Sequence, residues 1–289
     1  MRSFLLVGLV AGVAQAQTGT DIYLARLSRS GAAVTVAAPV NVTQRPGYDN
    51  QPSFTPDGRA VLFTSIREGR PADIYQYNVA TSATTRLTRT AESEYSPTVT
   101  PDGASFSVIR VEADSTQRLW KFRLDGSTPE LVLTDVKPVG YHAWGDAHTL
   151  GVFVLGDPAT LQIADTRTGA ATVVAERIGR SLHKVPGAAA ISFFHRSEPA
   201  PHYIKVIDLG SRAIRPVAPA LEGSEFYAWL PDGTLIMGSA SKLFTWSPAG
   251  ERWVEVADLA AQGVVGISRL AVSPDGVMLA FVAEDPAQR

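Results

Sequence analysis

The chain contains no cysteine. That excludes disulfides, and it also excludes the lipidated cysteine by which a bacterial lipoprotein is tethered. Charge of either sign is scarcely in excess: 26 basic and 28 acidic residues give a formal −2. Nucleic acid and an anionic membrane surface are therefore not expected as partners. Beyond residue 13 no apolar run approaches the ~20 residues that a membrane-spanning helix requires. Histidine is sparse, at five residues, and none has the HExxH spacing that sets two metal ligands on one helical face. No glycine-rich phosphate loop occurs. "GRSLH" (179–183) begins like a nucleophile elbow but lacks the closing glycine, and it precedes a strand where the elbow needs a helix. Stability is left to a large core, which 45% apolar residues can supply.

The first residues have the layout of a secretory leader. Met1-Arg2-Ser3 carries one positive charge, Phe4 to Val13 is apolar or glycine, and Ala14-Gln15-Ala16 offers small residues for cleavage. A leader over residues 1–16 and one globular domain over 17–289 are expected, with a periplasmic or secreted location.

Pro-Asp-Gly recurs at 56–58, 101–103, 231–233 and 274–276. Degenerate copies stand between them, at Gly145-Asp146 and Pro186-Gly187. The steps of about 42 to 45 residues fit the blade length of a propeller. Proline presets φ, aspartate bonds nearby backbone, and glycine takes the positive φ of a tight turn. The aspartates Asp57, Asp102, Asp232 and Asp275 are thus read as hairpin residues. Apolar alternation flanks each turn, and a second strand pair follows, as in "ADIYQYNVATSATTRLT" (72–88). Asp125, Asp165 and Asp208 fall near the turns of these second pairs.

The fold class expected is all-β, a six-bladed propeller with four antiparallel strands per blade, A to D from the axis outward. Blades lie near 51–88, 96–134, 141–175, 182–218 and 226–257. The sixth combines 269–283 with the N-terminal strands. Residues 21–43 spell strands C and D alone, and 270–283 spell A and B alone. Their union closes the ring, leaves no open edge and makes a monomer the expectation.

Gln51-Pro52-Ser53-Phe54 before the turn, then Asp73-Ile74-Tyr75 and Leu87-Thr88, resembles the TolB-like β-propeller repeat. Ser96-Pro97, Leu119-Trp120 and Leu133-Thr134 repeat the pattern, and the units at 141–175 and 182–218 keep the period and apolar spacing. The resemblance implies a propeller in the cell envelope. TolB proteins also carry an α/β domain ahead of the propeller and work with a peptidoglycan-associated lipoprotein. Strands starting about five residues after the cleavage site lead us to expect the propeller part only.

Binding chemistry is expected at the end where D-to-A and B-to-C connections meet. Counting back two residues from the first apolar position of each inner strand (Phe54, Val99, Trp144, Val185, Trp229, Val272) gives Pro52, Pro97, His142, His183, Tyr227 and Leu270. His195 and His202 bracket the connection "HRSEPAPH" at that end, whereas His148 falls on the opposite one. Asp49, Glu92, Glu94 and Glu225 are read as loop residues. The ligand-binding residues expected at the mouth are His142, His183, Tyr227, Tyr141, His195, Arg196 and Glu225, and no residue is assigned a catalytic role. A binding or scaffold module for an envelope protein or glycan is the first reading, and it needs no cofactor. The alternative is a metal-assisted lyase or hydrolase of a sugar or peptide, with a divalent metal on His142, His183 and His195.

Overall fold

The computed structural model describes residues 19–31 and 33–285. The leader read at 1–16 lies outside the described residues. Four sheets are separate and four-stranded, and a fifth has nine strands. The ninefold sheet divides at a single parallel bridge, Thr20 to Tyr48, into two smaller units.

In chain order the first unit holds Tyr48–Phe54, Ala60–Ile66, Asp73–Asn78 and Thr84–Arg86. The second holds Ser93–Val99, Ser105–Val111, Gln117–Arg123 and Glu130–Leu131. The third runs Val139–Trp144, Thr149–Val154, Thr160–Asp165 and Ala171–Glu176, and the fourth Ile178–Lys184, Ala190–His195, Tyr203–Asp208 and Ile214–Pro219. The fifth is Tyr227–Trp229, Leu235–Ser239, Lys242–Trp246 and Trp253–Asp258. The last joins Ser268–Val272 and Met278–Glu284 to Thr20–Ser30, on which Ala33–Val36 and Val40–Asn41 pair. The arrangement is consistent with six blades, and Ala260–Gln262 forms a short 3-10 turn.

The hairpin turns carry the expected chemistry. Asp57 Oδ1 accepts the Thr55 hydroxyl at 2.6 Å and the Arg59 N–H at 3.0 Å, and Asp102 repeats this with Thr100 and Ala104. Gly58 and Gly103 follow with φ near +68° and +67°, the region that glycine enters without steric cost. The hydroxyl bonds hold both aspartates below the ordinary carboxylate range and mark them as turn braces.

Apolar faces of neighbouring units pack on one another. Leu62 and Ile74 of the first unit meet Phe106, Val108 and Phe122 of the second, with the two phenylalanine rings stacked at 5.6 Å. The inner strands begin earlier than the sequence reading placed them. Asp49 and Glu94, read as loop residues, stand at equivalent positions inside strands and are wholly buried. Arg45 holds Asp49 at 2.8 Å and Arg110 holds Glu94 at 3.1 Å. Carboxylates that look like loop composition are here buried ion pairs, because their guanidinium partners come from flanking segments.

The last unit contains both ends of the described chain. Thr20–Arg26 pairs antiparallel with Met278–Glu284, and Tyr23 stacks on fully buried Phe281 at 5.4 Å. We expect Phe281→Ala to destabilise the fold by about 3–5 kcal/mol, the usual cost of a buried phenylalanine. Equilibrium denaturation measures this, and a loss below about 1 kcal/mol would mean that the closing unit does not support the ring.

Candidate functional site

An axial cavity of about 730 Å³ is lined by residues of all six innermost strands. Each inner strand is the terminal strand of its four-stranded unit, so its outer backbone edge faces the cavity. At one end lie the hairpin turns with Pro56, Pro101 and Pro231; at the other stand Tyr141, Arg180, Phe226 and Arg269.

His142 is buried in the third inner strand. Its Nε2 lies 2.6 Å from Ser107 Oγ of the preceding unit, and Trp144 Nε1 donates to the same oxygen at 2.9 Å. Tyr227 repeats the device two units on. Its hydroxyl donates to Ser192 Oγ at 3.0 Å, and Trp229 Nε1 donates there at 2.8 Å. Ser107 and Ser192 each stand two residues past the carbonyl that closes the hairpin, Ser105 and Ala190. A serine on one unit therefore receives an aromatic pair, spaced i and i+2, from the next. His142 and Tyr227 bind neighbouring blades to each other.

His183 departs from the expected equivalence. The turn-closing N–H belongs to Gly145, Val185 and Leu230 in the third, fourth and fifth units. His142 and Tyr227 precede it by three residues and His183 by two. Val185 is apolar but occupies the turn position that Thr55 and Thr100 fill elsewhere, so counting from it slips by one. A one-residue slip in a strand changes the face. His183 accordingly looks toward the following unit, its ring edge-on to Tyr227 at 4.8 Å and its Nε2 3.0 Å from Ser181 Oγ.

The remaining expected residues divide between two places. Tyr141 is at the channel mouth and accepts a hydrogen bond from Arg269 Nη2 at 2.8 Å. Arg196 and Glu225 line a separate cleft of about 380 Å³ beside the mouth, together with His202. There Glu225 is shared, taking Arg196 at 2.9 Å on one oxygen and Arg180 on the other. Burial raises the Glu225 carboxyl, but the two guanidiniums outweigh it and hold it below the ordinary range. His195 lies outside the channel lining, with Nδ1 2.9 Å from Ser197 Oγ and its ring against Phe193. Among the described residues no three His, Asp or Glu side chains gather where they could hold a metal ion. The trio His142, His183 and His195 is thus dispersed, because two of its members face different blade interfaces and the third lies beyond the channel.

Sequence reading missed Arg180, Arg269 and Phe226. Arg269 occupies the bulge between Ser268 and Leu270 with φ +33°, where Gln51 and Ser96 stand in the first two units with φ +59° and +55°. Its guanidinium lies 4.8 Å from the Tyr141 ring centroid and 4.5 Å from that of Phe226, and Arg180 lies 5.2 Å from the latter. The position just before the inner strand's Pro52 and Pro97 was the available signal.

Burial pushes His142 down to about 3 and His183 down to about 4. Both values fall below the ~6.5 of an unfolded histidine, so between them the unfolded chain binds more protons than the folded one. The stability linked to each ring is therefore complete above pH ~6.5 and is lost on acidification, by up to about 1.4 kcal/mol per pH unit for each ring. Nuclear magnetic resonance titration is expected to find both imidazoles neutral at pH 5.5, and the acid loss is expected to shrink in His142→Gln. Ser192→Ala, which leaves Tyr227 and Trp229 without their acceptor, is expected to cost about 2 kcal/mol or more in chemical denaturation.

Comparison with known proteins agrees with this geometry. Residues 9–138 match the family described as the TolB beta propeller domain. The Tol-Pal system protein TolB of Bordetella pertussis is 57% identical over 35 residues, 12% of this chain and only 8% of that protein. Among solved structures, a putative TolB from Agrobacterium tumefaciens covers 93% of this chain and 99% of its own at 18% identity, with a TM-score of 0.72. An oligogalacturonate lyase in complex with manganese shares the fold at 18% identity, covering 90% of this chain and 78% of its own, with a TM-score of 0.55. The repeat spelling, the match over residues 9–138 and the shared architecture together show a β-propeller fold similar to that of TolB proteins.

Proposed function

We propose that this chain is an exported binding module that takes up an envelope protein or a glycan at the channel mouth. The observation that carries this reading is the open cavity of about 730 Å³, ringed by all six inner strands and within the usual size of ligand sites. Its rim is made of Tyr141, Phe226, Arg180 and Arg269, and tyrosine and arginine are the side chains that anchor interfaces. The histidines beside them stay uncharged at neutral pH, so guanidiniums set the charge of the rim. Export is supported by the leader pattern of residues 1–16 and by the likeness to proteins of the Tol-Pal system. Among the described residues no helix is long and apolar enough to cross a membrane.

The test is mild cross-linking in cells carrying the tagged full-length chain, followed by affinity purification and mass spectrometry. We expect one stoichiometric envelope component with the natural protein. It is expected to fall at least ten-fold in the double variant Tyr141→Ala, Phe226→Ala, with the β fold retained by circular dichroism. Equal capture by both proteins would remove the mouth from the interaction, and capture of nothing by either would overturn the binding reading.

A further inference from the structure

We propose that the mouth is a carboxylate site for a peptide ligand, with Arg269 and Arg180 supplying the cations; this rests on reading the channel as a binding site. The chain as a whole is formally −2, yet the charged side chains lining the cavity are Arg180, Lys184 and Arg269 against Asp146 alone. Lys184 and Asp146 stand together at the turn end, where Lys184 Nζ donates to the Gly145 carbonyl. The cationic excess therefore sits at the mouth. There Glu225 is already shared by Arg180 and Arg196, so three guanidiniums meet one carboxylate once Arg269 is included.

Arg269 is the group aimed at a ligand. Among the described residues its contacts are the Tyr141 hydroxyl at 2.8 Å and the faces of Tyr141 and Phe226. None of these neutralises it. Its backbone is left-handed, φ +33°, in a region that a non-glycine residue occupies at a cost and that clusters at binding sites. At the same bulge in the first unit, Gln51 turns its amide into the wall, where Oε1 accepts the Thr64 hydroxyl at 2.8 Å and the Ser96 N–H at 2.9 Å. In the last unit the same backbone device carries a guanidinium over aromatic rings instead. A planar fork of N–H donors beside the Tyr141 hydroxyl in a partly dry site matches a carboxylate.

The rest of the wall favours a peptide over a sugar. Below the rim Phe54, Val99 and Val272 stand among prolines, serines and threonines, and Asp146 and Gln51 are the lining's only acid and side-chain amide. Acids and amides are the groups that would order sugar hydroxyls. The inner strands turn their outer backbone edges toward the channel, which suits the alternating N–H and C=O of an extended chain.

Calorimetry with the full-length chain tests this, using N-acetyl-Leu-Phe as the free acid and as its C-terminal amide, and glucuronate against glucose. We expect the acid to bind about ten-fold more tightly than the amide. Arg269→Gln is expected to abolish that preference at an unchanged melting temperature, and Arg269→Lys to restore part of it. Equal binding of acid and amide, binding of neither, or a preference that survives in both Arg269→Gln and Arg180→Gln would overturn the proposal. A preference for glucuronate over glucose without discrimination between the peptides would overturn the peptide assignment. If acid and amide bind alike while Tyr141→Ala, Phe226→Ala still loses its cellular partner, the carboxylate clamp falls and the binding module stands.

Discussion

Antiparallel pairing of Thr20–Arg26 with Met278–Glu284 is the contact on which the ring rests. Each four-stranded unit is a wedge with apolar faces on both sides, and each buries those faces only against its neighbours. A circle of such wedges has no terminal unit, provided that the last is complete. Neither end of the chain can build that unit alone, since one contributes the inner two strands and the other the outer ones. Hydrogen bonds along seven residue pairs and the Tyr23–Phe281 stack turn an open array into a closed one. Every other interface is then held from both sides.

The channel follows from that closure. Six inner strands converge on an axis they cannot fill, because a terminal strand turned edge-on brings backbone, and little side chain, toward the centre. Polar side chains nearby serve two different purposes. Ser107 and Ser192 sit where each gathers two aromatic hydrogen-bond partners from the next unit, so His142 and Tyr227 are committed to holding blades together. Burial keeps such rings uncharged. The guanidiniums at the mouth are arranged otherwise, stacked on rings and only partly neutralised, which leaves their charge available to whatever approaches.

Much of the architecture was legible in the chain because its signals are local. Turn chemistry at Asp57 and Asp102, apolar alternation beside it and the period of the units are each written within a dozen residues. The half-units at the two ends were legible for the same reason. What failed was assignment that depends on register or on distant partners. Val185 looks like a strand residue but closes the turn, and that one-residue slip sends His183 to the opposite face from His142. Asp49 and Glu94 read as loop carboxylates because sequence does not reveal that Arg45 and Arg110 reach them.

The sequence by itself determined a repeating all-β unit, its four-strand grammar and the complementary halves that close it, since each follows from φ preferences and alternation within a short segment. Only the tertiary structure decided what the channel presents. Tyr141, Arg180, Phe226 and Arg269 come from four different units and meet because the ring brings the starts of their inner strands to one mouth. That convergence is a property of closure, and no local pattern encodes it.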